Sequence, residues 1–157
     1  MNGKRIPLVT IILLAANVIC FGLEMADKND SILYAYGMYQ GALEAHEWYR
    51  IITSAFLHFD LFHLGCNMLC LISFGLLLEE GMGKMKYGLV YGFGILGSGL
   101  CIQFFGGEYA LHAGASGAIW ALMGASLVYV IKYKGDPSGI IRSIALNLIY
   151  SFSANVS

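Results

Sequence analysis

Charge is scarce in this sequence. Nine Lys and Arg and ten Asp and Glu among 157 residues make 12% charged and a net charge of -1. Soluble domains carry about 25% charged residues. So little charge cannot clothe a water-exposed surface, and the near-neutral balance offers no footprint for nucleic acid. Proline is nearly absent, with two residues. No Pro- or Ser-rich linker divides the chain, so it reads as one domain over 1–157. None of Cys20, Cys66, Cys70 and Cys101 falls in an outer connection, which argues against a disulfide framework. Cys66 and Cys70 lie one helical turn apart beside His63, a spacing that raises the question of a metal site. Cysteines acting as small buried hydrophobes explain them more simply, and no metal is expected. No internal repeat is visible, which speaks against the paired halves of a transporter.

Apolar residues are abundant, at 58% of the chain. Four runs, 6–23, 61–78, 87–105 and 116–133, are long enough or nearly so to cross about 30 Å of hydrocarbon as helices. A fifth, 140–152, is shorter and carries Arg142 and Asn147. The first run follows Lys4 and Arg5 but has no cleavage signal, so it reads as a retained helix. With the N-terminus in the cytoplasm, Lys4, Arg5, Lys84, Lys86, Lys132, Lys134 and Arg142 fall inside, and Lys28 and Arg50 outside. That is a positive-inside bias, and it puts the start of the fourth run at the outer face. The long outer connection, 24–60, carries Trp48, Tyr34, Tyr36, Tyr39, Tyr49 and Phe56 and is expected to be amphipathic and partly embedded. The connections 79–86, 106–115 and 134–139 are short. Glycines such as the Gly88/Gly92 pair, and the Gly117, Ala121, Ala125 series, predict close helix packing.

Polar residues inside such runs need a reason. His63 and Asn67 are four apart on the second long run and project from one helical face. Ser116 opens the fourth run within Gly114-Ala115-Ser116-Gly117. All three sit at one depth in the outer leaflet. Acyl transfer needs a nucleophile and donors for a developing oxyanion. A serine hydroxyl, an Asn amide, a His ring N–H and the orphan N–H of a helix start supply these parts. Gly114 and Gly117 are expected to leave room for a substrate carbonyl. Interhelical hydrogen bonding explains His63 or Asn67 taken singly, but not their match in depth with a glycine-flanked serine. His58 reads as an interfacial side chain, His112 as an exposed loop residue, and His46 as uninformative.

The chain resembles the rhomboid family of intramembrane serine proteases. Trp48-Tyr49-Arg50 followed by Thr53 to His58 is similar to the family's first-loop motif. His58, His63 and Asn67 reproduce its H-x4-H-x3-N, and Glu79 with Gly83 the acid and glycine that end the second helix. Gly114 to Gly117, continued by Ala121 to Gly124, matches its nucleophile motif. The resemblance implies an all-α, polytopic helix bundle with about five of six core transmembrane helices. It implies a serine endopeptidase with Ser116 as nucleophile and His63 and Asn67 in the oxyanion hole. Arg50 and the loop from Glu24 become structural, and Trp120 takes a position that packs on the catalytic histidine. The implied partners are the lipid bilayer and transmembrane protein substrates, with no cofactor, in a bacterial cell membrane.

One departure stands out. The family's general base is a histidine on the sixth helix, and no histidine follows Ser116 here. His63 or His112 could substitute only by leaving other positions. The run-up of apolar residues at 149–157 therefore predicts a chain cut short of that helix, inactive as it stands. A sequon at Asn155-Val156-Ser157 carries little weight so near the end. The alternative is a rhomboid-like pseudoprotease that binds membrane clients without cutting them.

Overall fold

The computed structural model describes residues 6–107 and 110–154. Lys4, Arg5 and the sequon at 155–157 lie outside the described residues. Helices α1 (Leu8–Ala26), α4 (Leu61–Met82), α5 (Lys84–Phe105), α6 (Ser116–Lys132) and α7 (Ser138–Ala154) take up the five apolar runs. Two short helices, α2 (Ser31–Tyr36) and α3 (Arg50–Thr53), and a 3-10 turn (Ser54–Phe56) order the long connection. The first three long helices, α1, α4 and α5, are long and apolar enough to cross a membrane, and α6 and α7 are shorter apolar helices. Leu69, Phe93, Phe104, Val128 and Leu146 are each about two-thirds exposed. Water would not tolerate that much apolar surface, so it faces lipid. The chain is an integral membrane helix bundle.

Helix α6 sits at the centre, packed on α5 and α4, while α1 lies against α4 and α7 against α6. Leu71, Leu78, Tyr87, Leu122 and Met123 fill the interior between them. Without a hydrophobic drive inside lipid, helices associate where small residues let backbones meet. Gly94 provides that approach. A Cβ there would stand 2.7 Å from Ala118 Cα and 2.8 Å from Ala121 Cβ. Gly88 and Gly92, by contrast, have nothing within 4 Å of a Cβ position. The expected Gly88/Gly92 packing face is thus turned away from the bundle, and the close contact falls two residues further along α5.

The connection expected at 79–86 is also different. Helices α4 and α5 run into each other through Gly83 alone, at φ +87°. Glu79 is helical and buried, and its carboxylate caps α1. It accepts from Val9 N (2.9 Å), Thr10 N (2.8 Å) and Thr10 Oγ1 (2.8 Å). First-turn amides have no intrahelical acceptor, and an anion at a helix N-terminus meets the positive end of its dipole. Three donors and the helix dipole offset the cost of burying this carboxyl group.

The long connection is folded around Arg50, which is 6% exposed. Its Nη1 donates to Tyr34 O and Gly37 O, both at 2.8 Å, and its Nε to Glu47 Oε2 at 2.7 Å. Tyr39 also donates to that Glu47 oxygen, at 2.7 Å, and its ring lies under the guanidinium. The Arg50 hydrogen bond comes first in holding the Glu47 carboxyl below its usual range, and Tyr39 adds to it. Gln103 of α5 ties the loop down, accepting from Leu43 N and donating to Glu44.

Candidate active site

The site forms where the start of α4, the 3-10 turn and the segment before α6 meet. Asp60 caps α4, its side chain accepting from His63 N at 2.7 Å. That bond fixes the first turn and holds the His63 backbone in place. Four residues on, Asn67 comes off the same face and is buried at 7% exposure. Its Nδ2 has no hydrogen-bond partner among the described residues.

Opposite these two side chains runs the segment leading to Ser116. Gly114 has φ +128°, a conformation only glycine adopts without strain. Its N–H donates to Ser54 O at 2.9 Å. Upstream, His112 and Met38 exchange both backbone hydrogen bonds, at 2.7 and 2.8 Å. The loop and the segment leading to Ser116 are therefore laced together at two points. A Cβ on Gly114 would stand 2.7 Å from His63 Cε1, 2.8 Å from His63 Nε2 and 3.5 Å from Asn67 Nδ2. The Nε2 edge of His63 and the amide of Asn67 thus face one backbone turn, two residues before Ser116.

Ser116 is the first residue of α6, with Ala115 buried behind it. Its hydroxyl is exposed and hydrogen-bonded to nothing described. Gly117 packs against Ser98 of α5, where a side chain would collide. The glycines flanking the serine were expected to leave room for substrate. Instead, the space beside Gly114 is taken by His63, and that beside Gly117 by Ser98. They serve to press the serine's helix against its neighbours. Trp120, one turn along α6, is half-buried against the core.

Two histidines depart from expectation. His58 is 2% exposed, not interfacial, and its ring meets that of His63 edge-on at 5.1 Å. Burial, with the neighbouring His63, lowers its pKa to about 4. Its backbone N–H donates to the Glu24 carboxylate at the end of α1. His112 is half-buried rather than exposed, and its Nε2 is enclosed. Burial pushes its pKa down. Ser54 and Met38, which position the segment before Ser116 through backbone carbonyls, carried no signal in sequence because any residue type can supply a carbonyl.

The Rhomboid domain family model matches residues 45–156. The chain is 32% identical over 160 residues to the rhomboid protease GluP of Bacillus subtilis, covering 99% of this chain and 30% of GluP. It is 27% identical over 173 residues to the rhomboid protease AarA of Providencia stuartii, covering 95% of this chain and 60% of AarA. It is also 37% identical over 90 residues to a protein of Arabidopsis thaliana named inactive RHOMBOID-like protein 8, covering 57% of this chain and 25% of that one. The chain thus spans less than two-thirds of each of these relatives.

Proposed function

The chain belongs to the rhomboid family, and on that premise we propose that Ser116 is the nucleophile of an intramembrane serine endopeptidase. The reading is supported most by the approach of Gly114 to His63 and Asn67, which brings two side-chain donors to the turn that presents the serine. In the proposed reaction Ser116 Oγ attacks a peptide carbonyl and a base takes its proton. The carbonyl oxygen becomes an anion. Asn67 Nδ2–H, His63 Nε2–H and the orphan Ser116 N–H donate to it. The C–N bond breaks, the amine leaves with the proton, and water releases the acyl group from Ser116. The substrates are transmembrane segments of other proteins, reached at the outer face with the N-terminus of the chain in the cytoplasm.

All four histidines of these 157 residues precede Ser116, and the proposed reaction assigns the base to none of them. The Nε2 edge of His63 faces Gly114, where the proposed reaction uses it as a donor, and the His112 Nε2 is enclosed. A second reading, a rhomboid-like protein that binds membrane clients without cleaving them, draws on the same placement of the histidines and on the relative named inactive. A serine-reactive fluorophosphonate separates the two. It is applied to the chain and to a chimera in which residue 157 is followed by the segment that follows the matched region of GluP. Labelling of the chimera alone supports the enzyme. A folded chimera that stays unlabelled supports the binder. Strong labelling of the 157-residue chain places a base within it.

A further inference from the structure

The end of the bundle opposite Ser116 carries a second cleft, of about 460 Å3, between the α4–α5 junction and the last turns of α6. Sixteen residues of helix separate Ser116 from Lys132, about 24 Å at helical rise, so the cleft lies at the other membrane boundary. Gly124, Ala125 and Val128 of α6 supply the apolar part of its lining. Lys86 of α5, Tyr129 and Lys132 of α6 and the following Tyr133 also line it. The two tyrosine rings are 4.7 Å apart, and Lys132 Nζ lies 5.9 Å from the Tyr133 ring centre.

Neither ammonium has a carboxylate within ion-pairing distance among the described residues. No acid lines the cleft. The acids nearest in sequence are occupied or elsewhere: Glu79 caps α1, Asp136 bonds Ser138, and Glu80 lines a separate cleft with Ile6 and Pro7. Lys86 also sits in the first turn of α5, whose amides favour an anion. An apolar lining open to lipid, together with two unpaired ammoniums at headgroup depth, matches one ligand chemistry. That chemistry is an acyl chain ending in a phosphate.

We infer that this cleft is a binding site for an anionic phospholipid, with the acyl chain along Gly124 and Val128 and the phosphate between Lys86 and Lys132. Val128 is 67% exposed, and a Cβ at Gly124 would meet nothing within 4 Å. The surface along Gly124 and Val128 is therefore open to a chain. The full 157-residue chain, reconstituted in phosphatidylcholine–phosphatidylglycerol vesicles and released into detergent, would be examined by native mass spectrometry for retained lipid. The wild type is expected to keep phosphatidylglycerol over phosphatidylcholine. K86Q/K132Q should lower that retention by roughly tenfold to thirtyfold, and K28Q, at the other end, should leave it unchanged. Gly124→Leu keeps both ammoniums, starts from a Cβ position with nothing within 4 Å, and should lower retention several-fold. Retention unaffected by K86Q/K132Q or by Gly124→Leu would overturn the site. So would equal retention of phosphatidylcholine, loss with K28Q, or displacement by excess inorganic phosphate, the last marking a site for free phosphate instead.

Discussion

Gly114→Ala isolates the contact on which the site depends. Two costs add. At φ +128° an L-residue is strained, at about 1–3 kcal/mol. The new methyl would also stand 2.7 Å from His63 Cε1 and 2.8 Å from Nε2. The ring has little freedom to retreat, because His58 meets it edge-on at 5.1 Å and Phe59 stacks on it at 6.1 Å. Overpacking of this kind costs about 1–3 kcal/mol. The sum is roughly 2–6 kcal/mol. Gly41→Ala serves as the control. Gly41 has φ +100°, but a Cβ there meets only Tyr39 Cε2 at 3.9 Å, so backbone strain acts alone. Unfolding in dodecyl maltoside with added dodecyl sulfate, followed by tryptophan fluorescence, measures both. Gly114→Ala should lose more stability than Gly41→Ala, by about 1–3 kcal/mol. Equal losses, or a Gly114→Ala variant as stable as the wild type, would refute the placement of Gly114 against His63.

Two further outcomes follow from the packing. Gly94→Ala should destabilise the bundle by roughly 2 kcal/mol or more in the same assay, since its Cβ meets Ala118 backbone that cannot yield. Gly92→Ala, with open space, should be neutral or gain up to about 1 kcal/mol of helix propensity. His58 should make the fold acid-sensitive. Its pKa is lowered to about 4 from 6.5, so the unfolded chain binds the extra proton between those values. The contribution is fully present above about pH 6.5 and is lost as pH falls toward 4, by up to about 3 kcal/mol. His58→Phe should flatten the pH dependence of stability between pH 7 and 4.5, and an unchanged profile would contradict the assignment.

Much of the architecture was legible because lipid imposes a simple grammar. Five apolar runs became five helices, and Ser116 and Leu61 open α6 and α4 as read. The misreadings share one physical cause, which is partners remote in sequence. Glu79, Glu80, Lys84 and Lys86 look like a polar connection. Yet Glu79 belongs inside a helix because α1, about seventy residues away, needs a cap. A Gly-x-x-x-Gly spacing marks a face where backbones can meet, but Ala118 and Ala121 selected Gly94 instead of Gly88 and Gly92. The candidate site residues stood out by type, since His63, Asn67 and Ser116 are costly or unusual in lipid, and the structure brings His63 and Asn67 against Gly114, two residues before Ser116. What holds them was legible only in part: the resemblance marked Arg50 as structural, but not the carbonyls it binds. Ser54 and Met38 act through carbonyls, and Arg50 through carbonyls of Tyr34 and Gly37, groups that every sequence contains.

The proposed chemistry is tested most directly by mapping the fluorophosphonate adduct on the chimera with GluP by tandem mass spectrometry. The adduct is expected on Ser116 Oγ, and Asn67→Ala should slow its formation by about 10²–10³-fold through the lost donor. An adduct on any other serine, or a rate untouched by Asn67→Ala, would contradict an acyl-transfer site built from Ser116, His63 and Asn67.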